Sequence, residues 1–203
     1  IQNVVENLSM NAVYTYIVQE KDYNDYDLES LLNRITPGCN IIKVNQTTRG
    51  AAETVLLANK IIDNEIPLII ANSDQIVVWD NIGFLNELKK NNADGGIVTF
   101  KDNNPKWSYA KIEENGFISE VAEKNPISDD ATVGIYYWDK GSDFIKYATQ
   151  MINKDIRGNH EFYVCPVFNE AIQDNKKIYG FQAEQMHGLG TPEDLDKYTK
   201  NLI

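Results

Sequence analysis

The sequence contains little cysteine and fewer basic than acidic residues. Its two cysteines, Cys39 and Cys165, stand far apart and without the spacing of metal ligands, which argues against a zinc site and a disulfide framework and favours a reducing, cytoplasmic setting. The 19 Lys and Arg residues face 30 Asp and Glu residues and form no basic stripe, so no nucleic-acid surface is expected. No apolar run reaches the length of a membrane span, and the first residues carry no signal-peptide pattern.

Histidine-based catalysis has equally little support. His160 and His187 are the only histidines, and neither has a carboxylate, serine or cysteine at a recognisable spacing, so no nucleophilic triad is predicted. The chain has 203 residues and lacks repeats, low-complexity tracts and linkers. We therefore expect one domain, spanning residues 1–203.

Residues 46–79 are the segment around which the rest of the chain is organised. Gly50 marks a turn, residues 52–62 carry apolar side chains at helical spacing, and residues 68–71 form an apolar run typical of a strand covered on both faces. Asp74 follows that strand at its carboxyl end, where open α/β sheets bind ligands and where a carboxylate could hold a divalent cation. A plain turn or cap role for Asp74 is the alternative.

Helix and strand patterns alternate through the first half of the chain, which predicts an α/β fold with a mixed, mostly parallel central sheet flanked by helices. The predicted strands are 14–19, 40–44, 68–71, 95–100, 107–112, 117–122, 132–138 and 178–182. The predicted helices are 1–8, 27–34, 52–62, 80–91, 142–153, 164–174 and 192–200. Residues 114–116 (Glu-Asn-Gly) between two alternating runs indicate a hairpin.

Periodicity and capping add detail to two of these helices. In helix 80–91 we expect Ile82, Leu85 and Leu88 to face inward. The expected N-caps are Thr47 or Thr48 for helix 52–62 and Thr191 for the last helix.

Three further residues are candidates for chemistry. Glu123 and Lys124 end a hairpin strand, where the lysine could reach a phosphate and the glutamate a sugar hydroxyl, although a surface ion pair is the simpler interpretation. Gly134 interrupts a strand of aromatic and β-branched residues. A glycine there indicates either close approach of a ligand to the backbone or a bulge.

Five segments in order resemble one known family: TRGAAETVLLA, PLIIANSD, EVAEKNP, VGIYYW and GLGTPEDL. Together they are similar to the sugar-phosphate nucleotidyltransferases, or sugar nucleotide pyrophosphorylases. NSDQ and PKWSYAKI resemble the branch found in bacterial capsule and surface-polysaccharide clusters. The resemblance implies a glycosyltransferase A-type, Rossmann-like fold and transfer of a nucleotidyl group to a sugar 1-phosphate or related phosphorylated alcohol, with Mg²⁺ and release of pyrophosphate.

The resemblance also implies roles for particular residues. Arg49, Gly50 and Ala51 would line the pocket of the nucleotide base. Asp74 would bind Mg²⁺ and Lys124 would act with it in catalysis. The residues that would bind the phosphorylated substrate are Glu123, Lys124 and, through its main chain, Gly134.

The sequence departs from the family pattern in two places. The first strand and the glycine-rich loop with its arginine and lysine do not occur, so we expect an N-terminally incomplete chain with little or no activity of its own. Where the family has a second metal-binding aspartate, two residues before Gly-Thr-Pro, this sequence has Gly188. Either Asp74 holds the metal with waters and phosphate, which we favour, or His187 substitutes, or this branch of the family handles the metal differently.

Two other functions remain open at this stage. A glycosyltransferase would share the fold but favours a paired D-x-D motif, whereas residues 72–74 (Asn-Ser-Asp) supply one acid. A nucleotide-binding domain without catalysis is the second alternative. The base, the phosphorylated substrate and the oligomeric state are not specified, since the aromatic residues at 136–138 could pack internally or at the interface of a homo-oligomer.

Overall fold

The computed structural model describes residues 1–200 and contains a central mixed sheet with helices on both faces. The helices are α1 (Gln2–Leu8), α2 (Glu20–Asp25), α3 (Leu28–Ile35), α4 (Ala51–Leu56), α5 (Asn59–Ile62), α6 (Asn81–Lys90), α7 (Gly141–Asn153), α8 (Val167–Gln173) and α9 (Pro192–Lys200). The strands are β1 (Thr15–Gln19), β2 (Asn40–Val44), β3 (Leu68–Ala71), β4 (Gln75–Val78), β5 (Gly95–Lys101), β6 (Ser108–Ile112), β7 (Ile118–Glu123), β8 (Asp130–Trp138), β9 (Ile178–Gln182) and β10 (Gln185–Gly188). Among residues 1–200, no helix is both long and apolar enough to cross a membrane.

The central sheet has six strands in the order β7-β6-β8-β5-β9, and β3 pairs with β8 beside β6. Strands β3, β5, β6 and β9 run in one direction, and β7 and β8 run in the other. The prediction of a mixed sheet is therefore confirmed, and most strands share a direction. However, β8 lies in the middle and runs against β3, β5 and β6, so most neighbouring pairs are antiparallel.

Two ribbons lie outside this sheet. Strands β1 and β2 pair in parallel, and β4 pairs with β10 in antiparallel fashion. Both β4 and β10 have four residues, and neither was predicted as a strand from the sequence. Helix α1 holds this second ribbon, because the Asn7 amide both donates to the Val77 carbonyl and accepts from the Val77 N–H, each at 2.8 Å.

The two faces of the sheet bury separate apolar clusters, and the aromatic run at the end of β8 contributes to both. Tyr136 and Trp138 are buried with α7 and α8 on one face, where the Trp138 ring stacks on Phe168 at 4.2 Å between centroids. Tyr137 packs against the other cluster, with its ring edge-on to Phe84 of α6. The aromatic residues 136–138 therefore pack internally, as side-chain alternation along a strand requires.

Several details differ from the expectations. Helix 52–62 is two helices, α4 and α5, separated by a turn, and its first N-cap is Gly50. The Thr48 hydroxyl instead contacts the Thr54 hydroxyl at 2.6 Å, so neither Thr47 nor Thr48 caps the helix. The Thr191 cap is confirmed, because its Oγ1 accepts from the Asp194 N–H at 3.1 Å.

The inward face of α6 was predicted correctly for Leu88 and wrongly for Ile82 and Leu85. Phe84 and Leu88 are buried, whereas Ile82 is 68% exposed and Leu85 is 38% exposed. The helix begins at its Asp80 cap, whose carboxylate accepts from the Gly83 N–H at 2.8 Å. Residues 84 and 88 share one face at a spacing of four, which leaves Ile82 on the opposite side.

This orientation of α6 predicts different costs for two truncations in the same helix. We expect Phe84→Ala to lower the free energy of unfolding by about 3–5 kcal/mol, because it removes a fully buried ring and leaves a cavity. Ile82→Ala serves as the matched control and should change it by about 0.5 kcal/mol or less. Urea unfolding followed by circular dichroism measures both values, and equal losses would contradict the assigned face.

Candidate functional site

Gly50 is required by the protein's own backbone. Its φ of +139° is uncommon for residues with side chains, and a Cβ there would lie 2.6 Å from the Phe162 carbonyl oxygen. Phe162 bonds on both sides of this glycine: its N–H donates to the Arg49 carbonyl at 2.9 Å, and its carbonyl accepts from Ala52 N–H at 2.8 Å. The turn at Gly50 is thereby fixed to the loop of residues 154–166.

Arg49 and Arg157 both lie against the ring of the buried Phe162. Their guanidinium carbons are 5.2 and 4.4 Å from the ring centroid. Arg49 also donates from Nε and Nη2 to the Glu53 carboxylate, at 2.9 and 2.6 Å, and these bonds hold the pKa of Glu53 below its ordinary value. Each guanidinium is paired with a carboxylate, Arg49 with Glu53 and Arg157 with Asp155, so the two side chains bring N–H donors to the Gly50 turn without a net positive charge.

Arg157 was not identified from the sequence. The signal that could have found it is the composition of its loop, where Asp155, Asn159 and His160 all have positive φ. Such residues tolerate the left-handed region and mark irregular backbone near ligand sites. Arg157 itself donates to Asp155 at 2.7 Å and to the His160 carbonyl at 3.3 Å, so its guanidinium is held by residues of the same loop.

Glu123 and Lys124 do not pair with each other among the described ion pairs. The Glu123 carboxyl accepts from the Ser108 hydroxyl, and burial raises the pKa of this carboxyl. Lys124 donates from Nζ to the Tyr163 hydroxyl at 2.9 Å and lies over the Tyr163 ring. The simple ion-pair interpretation is therefore wrong, and the two side chains present separate groups at one end of β7.

Asp74 lies on the exposed turn between β3 and β4. Its carbonyl accepts from the Leu189 N–H at 2.7 Å, and its Oδ2 would lie 2.5 Å from a Cβ on Gly190. The turn after β10 is thus folded directly onto Asp74. His187 sits in β10 with its ring 5.3 Å from the Tyr198 ring, on the strand face opposite to that of Gly188.

Gly134 forms a bulge in β8. Its φ is +76°, and the register with β5 shifts at this point. Its carbonyl accepts from the Asn72 N–H at 3.0 Å, and a Cβ there would lie 2.7 Å from the Asn72 Cγ and 3.0 Å from the Gln75 Oε1. The bulge interpretation is confirmed. Gln75 is only 6% exposed, yet its Nε2 has no hydrogen-bond partner among the described residues.

Trp107 connects the two groups of candidate residues. Its carbonyl accepts from the Lys124 N–H at 3.0 Å, and its ring carbon Cη2 would lie 3.9 Å from a Cβ on Gly188, the strand partner of Gln75. Arg49, Gly50, Glu123 and Lys124 meet around the 154–166 loop, while Asp74 and Gly134 meet around residues 72–75. Across residues 1–200, no three His, Cys, Asp or Glu side chains are grouped so that they could hold a metal.

Known structures and sequences complete this description. The family model described as nucleotidyl transferase matches residues 1–203, whereas comparison with curated proteins gives no match. A nucleoside-diphosphate-sugar pyrophosphorylase from Vibrio cholerae RC9 superposes with a TM-score of 0.81 at 21% identity, covering 98% of this chain and 84% of that one. A UDP-glucose pyrophosphorylase complexed with UDP-glucose gives 0.73 at 17%, covering 98% and 86%. These two share the fold, and the family match over the whole sequence shows that the chain belongs to the nucleotidyl transferase family.

Proposed function

We propose that the protein transfers a nucleotidyl group from a nucleoside triphosphate to a sugar 1-phosphate or a related phosphorylated alcohol, releasing pyrophosphate. The product would be a precursor for surface polysaccharide, made in the cytoplasm. The observation that carries the proposal is that Trp107, in a member of this family, bonds the Lys124 N–H through its carbonyl while its ring faces Gly188, in the segment that folds onto Asp74. Asp74 can hold a cation and Lys124 can hold a phosphate.

In this reaction, an oxygen of the substrate phosphate forms a bond to the α-phosphorus as the bond from that phosphorus to the bridging oxygen breaks, and pyrophosphate leaves. The Lys124 ammonium would orient the attacking phosphate, and Arg49 with Gly50 and Ala51 would position the base. Catalysis of this kind depends on placement and charge neutralisation rather than on a protein nucleophile. That requirement suits a chain without a histidine-centred triad.

Asp74 fits a hydrated Mg²⁺, which needs few protein carboxylates because it keeps several waters. Asp74 is exposed, and Gly190 beside its carboxylate has no side chain that would displace it. When bound, Mg²⁺ would supply positive charge to the triphosphate oxygens. Asp74 would hold that charge at the end of the sheet nearest Gly134.

Glu123 would bind the part of the substrate beyond the phosphate. Its side chain packs against Gly158, and burial raises the pKa of its carboxyl. The carboxylate accepts from the Ser108 hydroxyl and has further lone pairs that could accept from a substrate hydroxyl. The Gly134 carbonyl already bonds the Asn72 N–H, but a carbonyl has two lone pairs, so it can accept from a ligand as well.

The defining experiment is a pyrophosphate-release assay with the full-length protein and Mg²⁺. It tests five nucleoside triphosphates against sugar 1-phosphates and phosphocholine-like substrates. Release with one pair would identify base and substrate together. Binding of a nucleotide sugar with no release from any pair would instead favour a glycosyltransferase.

Asp74→Asn tests the cation site. We expect the rate of Mg²⁺-dependent pyrophosphate release to fall by about a hundredfold or more, because even groups behind a metal ligand typically contribute 10–100-fold. Asp63→Asn removes the same charge from an exposed residue at the end of α5 and should leave the rate unchanged. Turnover near the wild-type rate in Asp74→Asn would show that the metal assignment is wrong.

Lys124→Ala tests the phosphate role. Loss of a charged hydrogen bond should raise the KM for the phosphorylated substrate by about tenfold or more, with a smaller change in the KM for the triphosphate. Lys111→Ala, on the exposed side of β6, is the control. Equal changes in both KM values would contradict a role specific to the phosphorylated substrate.

A further inference from the structure

The orientation of the Glu123 carboxylate depends on one hydroxyl group. Its Oε2 accepts from the Ser108 hydroxyl, and no other group in the described part of the chain donates to this carboxylate. Lys124, the next residue, directs its Nζ to the Tyr163 hydroxyl instead. The stem of Glu123 is fixed separately, because a Cβ added to Gly158 would lie 2.8 Å from its Cγ. Ser108 therefore determines how the end of this side chain is turned.

Strand pairing brings Ser108 to Glu123. The two residues are opposed in the register of β6 and β7, and opposed residues project to the same face of a sheet. The next pair on that face is Ala110 and Val121, and both are buried in the apolar cluster beneath α7 and α8. The carboxylate thus lies at the edge of an apolar cluster, where a single hydrogen bond has a larger effect than it would have in water.

Neutral groups lie on the buried side of this pair. Tyr136 and Cys165 are buried, and the Tyr136 hydroxyl contacts the Thr132 hydroxyl at 3.1 Å. Burial raises the pKa of the Tyr136 hydroxyl and of the Cys165 thiol, and the charge of Glu123 adds to both shifts. Both groups stay protonated at neutral pH, so they add no negative charge beside the carboxylate.

Two charged side chains act on Glu123 from the surface. Burial raises the pKa of the Glu123 carboxyl, the Ser108 hydrogen bond and the Lys124 charge lower it, and the Glu161 charge raises it. Of the two groups that favour the ionised form, only Ser108 bonds to it directly. Removal of the hydroxyl should therefore raise this pKa and leave the carboxylate free to rotate.

The second oxygen of Glu123 is left for a ligand. Oε1 accepts no hydrogen bond within the described part of the chain. It is not fully buried either, since the buried side-chain atoms without a partner there are the Gln75 Nε2 and the Trp138 Nε1. The carboxylate therefore has one oxygen bonded to the protein and one oxygen at the surface.

We propose that Ser108 is a positioning residue for the phosphorylated substrate: its hydroxyl holds Oε2 of Glu123 and so turns Oε1 toward a hydroxyl of that substrate. Ser108 does not touch the substrate and acts only through the carboxylate. The inference rests on the proposed function, in which Glu123 binds the part of the substrate beyond the phosphate.

Steady-state kinetics with the substrate pair found by pyrophosphate release provide the first test. We expect Ser108→Ala to raise the KM for the phosphorylated substrate by about tenfold, because it removes a hydrogen bond to a charged group. The KM for the triphosphate and kcat should each change by less than about twofold. Ser108→Thr keeps a hydroxyl and should leave the first KM within about threefold of wild type. Ser119→Ala is the matched control, because it removes a hydroxyl that donates to the exposed Glu113 carboxylate, and both KM values should stay unchanged.

A double-mutant cycle separates positioning from a structural role. In the Glu123→Ala background, Ser108→Ala should change the KM for the phosphorylated substrate by less than about twofold, because the hydroxyl acts through the carboxylate that is already gone. A rise of about tenfold in both backgrounds would show that Ser108 acts independently of Glu123, and the inference would be wrong. Circular dichroism checks that every variant is folded.

The bond itself is measured without substrate. Carbon-13 NMR of the glutamate side-chain carboxyls in the full-length protein, with the Glu123 signal assigned by its loss in Glu123→Ala, gives the pKa of this carboxyl. We expect Ser108→Ala to raise that pKa and Ser108→Thr to leave it near the wild-type value. An unchanged pKa in Ser108→Ala would show that the hydroxyl does not bond to the carboxylate in solution, which overturns the inference whatever the kinetics.

The inference and the proposed function fail in different ways. If the pKa rises in Ser108→Ala and the KM does not, the bond exists but does not serve the substrate. The inference is then wrong, while turnover by the wild-type protein upholds the proposed function. If the wild-type protein releases no pyrophosphate with any substrate pair, the proposed function fails, and the role of Ser108 in substrate binding fails with it.

Discussion

The central antiparallel strand β8 is the constraint on which the rest of the structure depends. It pairs with β3, β5 and β6, and it buries aromatic side chains in both apolar clusters. Its bulge at Gly134 turns a carbonyl toward the Asn72 N–H, and this bond sets where the turn carrying Asp74 leaves the sheet. The position of the candidate cation site is thus determined by the packing of a strand that contributes no charged group to it.

The two glycines assigned to ligand binding have structural reasons of their own. Gly50 makes room for the Phe162 backbone, and Gly134 makes room for Asn72 and Gln75. A glycine that belongs to a family motif can therefore serve both the fold and the site. The close backbone approach that excludes a side chain also leaves main-chain groups at the surface. The geometry explains why glycine is needed but does not by itself assign the ligand.

Features that depend on neighbouring residues were predicted correctly from the sequence, and features that depend on long-range contacts were not. The hairpin at Asn115–Gly116 and the Thr191 cap depend on neighbouring residues, and both are present. The inward face of α6 depends on which side of the sheet the helix covers, and the pattern of Ile82 and Leu85 pointed to the wrong side. The Gly50 turn meets Phe162 only after more than a hundred intervening residues have folded, so no spacing rule could place Arg157 beside Arg49.

Four of the eight non-glycine residues with positive φ in the described part of the chain lie directly after β7 or in the 154–166 loop. Asp155, Asn159 and His160 adopt positive φ, which their side chains tolerate comparatively well, but Lys124 does so at φ +52° without that advantage. A left-handed conformation costs such a residue about 1–2 kcal/mol. The Lys124 N–H bond to Trp107 and the Nζ bond to Tyr163 offset this cost and fix the direction of the ammonium group.

A lysine with only a surface role gains nothing from a strained backbone, whereas one that must present its charge to a phosphate gains a fixed position. The strain at Lys124 is therefore an argument for its role that is independent of family resemblance.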